Sequence, residues 1–241
     1  MDNIFQYTGM VSFELSNQCN KVCKSPRCPL TFYGKVGGEG KVIMSNDVFI
    51  ETLLDILQYT PHYSGFIGYS IYNEPTIDPR LTSFIKLTID ILPSARPMVI
   101  TNGSYLNQTM INELYAAGLN TLWISCYTPE ILAEFQAYKY PEGLTVNIVN
   151  GMPLQVISDT YSRPYLDSKK PCNSPLGHIT IRCNGDVHLC CRDYESRYVF
   201  GNLSQNTLSE IIQQGRMSAI HADLVKGNRI LDICRRCNTS F

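Results

Sequence analysis

Short apolar runs alternate with amphipathic stretches over the first two thirds of the chain. Residues 11–17 alternate apolar and polar positions with the period of two that is typical of a strand. After an irregular stretch rich in Gly, Pro and Cys, Ser45–Asp47 offers helix N-caps, and apolar positions at helical spacing follow over 48–56. A short apolar run at 65–69 then predicts a buried strand. The chain therefore begins with a strand, a long loop, a helix and a second strand.

The alternation of helices and strands continues to about residue 157. In chain order the pattern predicts a helix over 78–91, a strand over 98–101, a helix over 110–117, a strand over 121–125, a helix over 129–138 and two strand-like runs between 144 and 157. The last two runs are separated only by Gly151–Pro153, so the repeat is abbreviated there. Strands that alternate with helices favour parallel βαβ units, and we expect an α/β fold built as a partial barrel.

The pattern changes in the last third of the chain. Two strand-like runs on either side of Asn184–Asp186 predict a β-hairpin with an Asn-Gly turn. Helical stretches follow at 208–214 and up to about residue 226. We therefore predict two domains, an α/β domain over residues 1–167 and a small α+β domain over residues 168–241.

The composition is that of an ordinary folded protein, with 241 residues, 44% of them apolar, and a formal net charge of −1. Because there is no basic excess, we expect neither nucleic acid nor a membrane surface among its partners. No apolar run approaches the ~18 residues that span a bilayer, and Met1 to Gly9 lacks the features of a secretory signal. The protein is therefore expected to be cytoplasmic.

Ten cysteines are the anomaly in this composition. In a reducing compartment a disulfide framework explains them poorly, so metal or cluster ligation is the expected role. Cys19, Cys23 and Cys28 lie on the loop after the first predicted strand. Three thiolates leave one iron of a [4Fe–4S] cube without a protein ligand, and a small molecule can bind there. The alternative is a zinc site that adds a histidine to these three thiolates.

The first cysteine cluster resembles that of the radical S-adenosylmethionine (SAM) superfamily, in which three closely spaced cysteines follow strand one. The lead-in Phe-Glu-Leu-Ser-Asn-Gln-Cys-Asn at 13–20 carries the likeness, although the spacing is C-x3-C-x4-C where C-x3-C-x2-C is common. The resemblance implies a (β/α)6-type partial barrel and a [4Fe–4S] cluster whose open iron is chelated by SAM. Reductive cleavage of SAM would then give a 5′-deoxyadenosyl radical that abstracts a substrate hydrogen.

Three short motifs at the predicted strand ends extend this resemblance, since a (β/α) barrel gathers its chemistry there. Tyr-Asn-Glu-Pro at 72–75 resembles the Gly-Gly-Glu-Pro segment of the family, and Thr-Asn-Gly at 101–103 is similar to its turn near the cofactor. The fourth predicted strand ends at Ser125, where the family often contacts the SAM ribose or carboxylate. The implied SAM-binding residues are Asn73, Glu74, Thr101, Asn102 and Ser125. Each motif alone is more often a helix start or a turn, but their joint order behind the cysteines is specific.

A second cysteine set lies in the last third of the chain and comprises Cys172, Cys190, Cys234 and Cys237. The segments around it, at 179–190, 200–203 and 208–212, resemble the twitch domain, the short form of the SPASM extension. That resemblance implies an auxiliary [4Fe–4S] cluster held by the four cysteines, and a structural zinc site is the alternative. Cys191 is the alternative to Cys190 as ligand, because neighbouring residues of a strand point to opposite faces.

Two further residues are candidates for contact with the substrate. In length and segment order the chain resembles the 2-deoxy-scyllo-inosamine dehydrogenases, whose Asn-Arg-Gly stretch is matched at Arg163, so the resemblance implies that Arg163 faces the substrate. The alternative is a solvated surface charge. Cys126 follows Ser125 at the expected barrel mouth and is a candidate hydrogen donor, or else a small buried residue.

The resemblance implies two functions that share hydrogen abstraction by the adenosyl radical. The first is modification of a ribosomally made precursor peptide, in which case a separate leader-peptide-binding protein is expected as partner. The second is oxidation or epimerisation of an aminocyclitol or sugar. Either enzyme is expected to bind two [4Fe–4S] clusters and SAM and to use an electron donor such as flavodoxin or ferredoxin. A zinc-binding module without catalytic activity is the third hypothesis.

Overall fold

The computed structural model describes residues 4–21, 30, 40–150, 164–166 and 168–238. In this part of the chain the strands are β1 (Met10–Phe13), β2 (Phe66–Gly68), β3 (Arg96–Thr101), β4 (Thr121–Cys126), β5 (Thr145–Asn150), β6 (His178–Ile181), β7 (Asp186–His188) and β8 (Val199–Asn202). The α-helices are α1 (Asn46–Tyr59), α2 (Leu81–Ile91), α3 (Gln108–Ala116), α4 (Pro129–Ala137), α5 (Leu208–Gln213), α6 (Arg216–Leu224) and α7 (Asp232–Arg235), and a 3₁₀ turn spans Pro75–Ile77.

All eight of these strands form one sheet in the order β5-β4-β3-β2-β1-β6-β7-β8. The strands from β5 to β6 pair in parallel, and β6, β7 and β8 pair antiparallel. Because β5 and β8 lie at opposite edges of this order, the sheet is open. The predicted α/β class is confirmed, with a partial barrel of parallel strands and a C-terminal antiparallel extension.

One face of the parallel strands packs on the helices. The ring centroids of Phe13 in β1 and Phe49 in α1 are 4.7 Å apart. The Phe49 ring stacks on the Phe84 ring of α2, with a centroid distance of 4.3 Å. Such aromatic pairs contribute about 0.5–1.5 kcal/mol each beyond the burial of their surface. On β3 the two faces differ sharply, since Val99 is fully buried and Ile100 is 38% exposed. Ile100 therefore marks the second face, which the helices leave open.

The predicted start of the helix at residue 78 is wrong, because α2 begins at Leu81. Asp78 has an extended backbone, with φ −80° and ψ 116°. The residue before a proline is driven out of the helical region by contact with the proline ring, and Asp78 precedes Pro79. The predicted N-cap of α1 is confirmed, since the Ser45 side chain accepts a hydrogen bond from the backbone of Asp47.

The predicted hairpin is confirmed as β6 and β7, with Gly185 at φ +87° in its turn. The hairpin joins the parallel sheet directly, because β6 pairs with β1. A second tie runs between helices, since the Asp55 carboxylate accepts bonds from the backbone and hydroxyl of Ser209 at 2.6 and 2.7 Å. The domain boundary near residue 167 stays a prediction. Over the described ranges, no helix has the length and apolar character needed to cross a membrane.

Candidate functional site

The ends of β1, β2 and β3 bring together the first cysteine loop and two of the predicted SAM-binding segments. The Glu74 backbone N–H donates to the carbonyl of Gln18 at 2.9 Å, which places the loop after β2 beside Cys19. The Asn102 side-chain amide donates to Asn20 Oδ1 at 2.9 Å and lies 3.8 Å from Cys19 Sγ. Cys23 and Cys28 lie outside the described residues. Their ligand roles, and that of Cys19, stay predictions.

The Glu74 carboxylate is buried and accepts four hydrogen bonds from within the chain. Oε1 accepts from the backbone and hydroxyl of Thr76 at 3.1 and 2.7 Å and from the Thr101 hydroxyl at 2.6 Å, and Oε2 accepts from the Asn102 backbone at 2.7 Å. These four bonds engage both oxygens of the carboxylate. The side chain of Glu74 thus fixes the loop after β2 to the end of β3. Sequence reasoning missed this tie.

Asn73 closes the turn that precedes Glu74. Its side-chain oxygen accepts from the Ile71 backbone at 3.1 Å, and its amide donates to the Tyr69 carbonyl at 3.2 Å. Both bonds are local and hold residues 69–73 in a compact turn. Asn73 takes the place of a glycine in the Gly-Gly-Glu-Pro segment that this stretch resembles, and its side chain supplies bonds that glycine cannot make. Its contact with SAM stays a prediction.

Gly103 completes the turn at the end of β3. Its φ is +76°, and a Cβ at this position would lie 2.6 Å from the Phe135 ring. Both facts require glycine here. The Gly103 backbone donates to the Thr101 hydroxyl at 3.0 Å, which in turn donates to Glu74. Thr101 therefore belongs to the network that shapes this edge of the sheet, and its contact with SAM stays a prediction.

Ser125 and Cys126 are neighbours on β4 and differ in burial. Ser125 is half-buried, whereas Cys126 is fully buried within the apolar core. Burial also raises the pKa of the Cys126 thiol. These observations favour Cys126 as a small buried residue, the alternative to a hydrogen donor, and both roles stay predictions. The contact of Ser125 with SAM likewise stays a prediction.

Arg163 lies outside the described residues, but the segment that follows it is held on α7. The Tyr165 hydroxyl donates to Asp232 at 2.7 Å. The Tyr165 ring centroid lies 4.0 Å from the guanidinium carbon of Arg235 and 4.3 Å from that of Arg236. The Leu166 backbone donates to the Arg235 carbonyl at 2.7 Å. Residues 164–166 are therefore anchored beside the second cysteine set.

The second cysteine set lines one small cavity. All four of its predicted ligands are in the lining: Cys172, Cys190, Cys234 and Cys237. Among the described residues of this lining, Cys190 is present and Cys191 is absent. The lining favours Cys190, although the Cys191 thiol also lies within electrostatic reach of Cys172 and Cys237, and the ligand assignment stays a proposal.

Arg229 gathers the backbone around this cavity. Its guanidinium donates to the carbonyls of Cys234 and Cys237 at 3.5 and 3.0 Å, and from its other side to the Lys170 carbonyl at 2.9 Å. Arg229 is buried, and it holds the segment before Cys172 against the two last cysteines. Sequence reasoning missed Arg229, because no local pattern distinguishes it from a surface arginine.

The thiols around the cavity disfavour one another's ionisation. Burial first, and then the neighbouring thiols of Cys172 and Cys237, raise the pKa of Cys234 to about 12. Burial raises the pKa of Cys190 well above its usual value, with Cys191 adding to it. Iron ions reverse this balance, because a bound cation stabilises thiolates.

The donor set around this cavity is four thiols, which serve as ligands both in iron–sulfur clusters and in structural zinc sites. Over the described residues, no three His, Cys, Asp or Glu side chains converge closely enough to hold one metal ion. A tetrahedral zinc site sets its sulfurs about 3.8 Å apart, because each lies about 2.3 Å from the ion. A cube of four irons places its ligand sulfurs further apart. The four thiols around this cavity match the number of ligands that an auxiliary [4Fe–4S] cluster takes.

Comparison with known proteins agrees with this geometry. The family model of the SPASM iron–sulfur cluster-binding domain matches residues 172–238. Over 254 aligned positions the chain is 22% identical to the S-adenosyl-L-methionine-dependent 2-deoxy-scyllo-inosamine dehydrogenase of Niallia circulans. The alignment covers 99% of this chain and 94% of that protein, so the likeness runs from end to end.

Solved structures show the same fold. BtrN in complex with AdoMet and 2-DOIA has a TM-score of 0.78 at 21% identity, covering 99% of this chain and 95% of that one. The protein anSMEcpe with bound AdoMet has a TM-score of 0.56 at 10% identity, covering 95% of this chain and 86% of that one. Its complex with AdoMet and the Cp18Cys peptide has a TM-score of 0.54 at 12% identity, with coverage of 95% and 86%.

Proposed function

We propose that this chain, a radical SAM enzyme with a C-terminal SPASM domain, oxidises a carbinol carbon of a hydroxylated small molecule of the aminocyclitol class. The observation that carries the proposal is the end-to-end match with an aminocyclitol dehydrogenase, which covers 99% of this chain and 94% of the relative. The fold likeness supports the same choice, since the TM-score is 0.78 for BtrN and 0.54 for anSMEcpe with a peptide.

The cofactors are iron–sulfur clusters and SAM, and the chain's residues divide between them. We assign Cys19, Cys23 and Cys28 to the first [4Fe–4S] cluster. When bound, this cluster and SAM supply the adenosyl radical that takes a hydrogen atom from the substrate. Glu74 positions the backbone of the loop after β2, which would hold the SAM amino group when SAM is bound. The Asn102 amide, 3.8 Å from Cys19 Sγ, donates toward the first ligand sulfur.

The C-terminal cysteines serve the second half of the oxidation. Conversion of an H–C–OH group to a ketone removes one hydrogen atom, one proton and one electron. With the cofactors bound, the adenosyl group would take up the hydrogen atom, and the proton would leave from the hydroxyl to solvent. The electron needs an acceptor, for which we assign the cluster at Cys172, Cys190, Cys234 and Cys237. Arg163 is proposed to orient the substrate hydroxyl.

Modification of a peptide is the second candidate function. The fold is shared with anSMEcpe, whose structure holds a bound Cp18Cys peptide. In that case a precursor peptide replaces the cyclitol, with a separate leader-peptide-binding protein as partner. An electron donor such as flavodoxin or ferredoxin is proposed for either function.

Anaerobic reconstitution and assay separate these functions. With two clusters we expect about eight irons per chain and cleavage of SAM to 5′-deoxyadenosine. With 2-deoxy-scyllo-inosamine we expect one ketone per 5′-deoxyadenosine, and with cysteine-containing peptides only slow, uncoupled cleavage. Coupled turnover of a peptide without oxidation of any cyclitol would overturn the proposed substrate class. Zinc in place of iron, together with intact SAM, would overturn the enzyme assignment of the cysteines.

A further inference from the structure

One tyrosine reaches from the SAM-binding edge of the sheet to the second cysteine set. Tyr72 directly precedes Asn73 and Glu74 in the loop after β2. Its hydroxyl donates to the Cys191 carbonyl at 3.0 Å. These residues are 119 positions apart in the chain, so the bond joins the two cysteine regions of the molecule.

The peptide group that accepts this bond also donates to a predicted cluster ligand. The carbonyl of Cys191 and the N–H of Arg192 belong to the same peptide unit. That N–H lies 3.4 Å from Cys190 Sγ as a hydrogen-bond donor. A hydrogen bond at one end of a peptide group polarises it and strengthens the bond at its other end. The Tyr72 hydroxyl is thereby connected to the Cys190 sulfur through one peptide.

The Tyr72 ring is held in place by a buried ion pair. Arg182 donates from Nε to Glu14 Oε2 at 2.8 Å, and its guanidinium carbon lies 4.7 Å from the Tyr72 ring centroid. Arg182 and Glu14 are 2% and 0% exposed, so solvent does not weaken the pair. The Tyr194 ring contacts Tyr72 edge-on at a centroid distance of 5.8 Å. With its ring fixed on two sides, Tyr72 keeps its hydroxyl on the Cys191 carbonyl.

We infer that Tyr72 is a positioning residue that tunes the C-terminal cluster through the 191–192 peptide. The inference rests on the proposed function in one respect, the assignment of Cys190 as a cluster ligand. Hydrogen bonds to ligand sulfurs set the reduction potential of iron–sulfur clusters. Reduction adds negative charge to the cluster and its sulfurs, so a stronger N–H···S bond favours the reduced state. The Tyr72 hydroxyl therefore raises the reduction potential of this cluster and improves it as an electron acceptor.

The test isolates the C-terminal cluster from the first one. A chain with Cys19→Ala, Cys23→Ala and Cys28→Ala retains only the second set of ligands, and its cluster is titrated anaerobically by EPR. Adding Tyr72→Phe removes the hydroxyl and keeps the ring. We expect the equilibrium constant for one-electron reduction to fall about threefold, with a shift to lower potential.

A matched control and an opposite change complete the experiment. Tyr115→Phe also removes a hydroxyl bonded to a backbone carbonyl, that of Glu142 at 2.7 Å, and is expected to leave the potential unchanged. Incorporation of 3-fluorotyrosine at position 72 gives a stronger donor and is expected to raise the potential, and this arm stands if Tyr72→Phe fails to fold.

The outcomes separate the inference from the function on which it rests. A chain that retains iron and shows the same potential with Tyr72→Phe and 3-fluorotyrosine as with tyrosine would overturn the role of Tyr72. Failure of the Cys19, Cys23 and Cys28 variant to bind any iron would instead contradict the assignment of Cys190 and its partners.

Discussion

The two cysteine regions of this chain are built in different ways. At the strand ends, a polar network around Glu74 shapes backbone segments contributed by the loop after β2 and the end of β3. In the C-terminal part, four thiols already surround one cavity, and Arg229 holds their backbone together. The first arrangement lies at an open edge of the sheet and suits a cofactor that binds and dissociates. The second surrounds a cavity and suits a group that stays bound.

The largest effect is expected when one of the four cysteines around the C-terminal cavity is replaced. Cys234→Ala should lower the iron content from about eight toward about four per chain, because the C-terminal cluster loses one of its four assigned ligands and, unlike the first cluster, has no small molecule assigned to its open iron. Formation of 5′-deoxyadenosine should continue while ketone formation stops, and iron analysis with product assay measures both. Cys183→Ala is the control, since Cys183 is buried outside the cavity lining. Full iron content together with undiminished ketone formation in Cys234→Ala would contradict its assignment as a ligand.

A smaller loss of stability and of SAM affinity is expected when Glu74, at the strand ends, is replaced. In Glu74→Gln the amide nitrogen cannot accept the bonds that a carboxylate oxygen receives, so a buried donor loses its partner. We expect the free energy of unfolding to fall by about 2–4 kcal/mol. Affinity for SAM should fall with it, and chemical denaturation and equilibrium dialysis measure the two quantities.

The exposed Glu113 of α3 gives the matched control for this change. Glu113→Gln should leave both stability and SAM affinity as they are. If Glu74→Gln behaved in the same way, the network would not shape the SAM-binding edge.

Replacing Arg229, which holds the backbone around the C-terminal cavity, should have a moderate effect on retention of the cluster. Arg229→Lys keeps the positive charge but loses the planar fork that reaches carbonyls on two sides of the cavity. We expect the cluster to be lost several times faster on exposure to a chelator, with stability lower by about 1–2 kcal/mol. Arg235→Lys, on the exposed side of α7, is the comparison variant. Equal rates of iron loss in the two variants would contradict the role of Arg229.

The smallest effect is expected in the pH dependence of stability, through His188 of β7 in the sheet that joins the two regions. Burial, with the charge of Arg182, lowers the pKa of His188 to about 3, below its ordinary value of 6.5. The neutral ring is therefore favoured in the folded protein, and this stability is complete above pH 6.5 and declines as the pH falls toward 3. The free energy of unfolding should decrease between pH 7 and 5.5, and less so in His188→Gln. Identical pH slopes in denaturation would contradict this account.

Much of this architecture is readable from the sequence, because it depends on local patterns. The alternation of strands and helices gave the α/β class, and the Asn-Gly turn at Gly185 gave the hairpin. The resemblance to the twitch domain implied the four cysteines that line the cavity. The class and the hairpin depend on signals within short stretches of chain, where periodicity and turn chemistry act, whereas the cysteines were assigned by resemblance.

The supporting contacts were not predictable in this way, because they join residues distant in sequence. Arg229 reaches a carbonyl 59 positions away, and Thr101 bonds Glu74 across 27 positions. Tyr72 meets the Cys191 carbonyl only because β6 pairs beside β1 and brings the hairpin to the strand ends. An arginine, a threonine or a tyrosine alone carries no pattern that names its partner.

The most direct test of the proposed oxidation is hydrogen transfer from substrate to cofactor. The reconstituted enzyme would be given SAM, a reductant and 2-deoxy-scyllo-inosamine with deuterium on each carbinol carbon in turn. We predict that deuterium at one position appears in 5′-deoxyadenosine, with one ketone formed for each deuterium transferred. Unlabelled 5′-deoxyadenosine from every isotopomer, with the cyclitol recovered intact, would contradict the account.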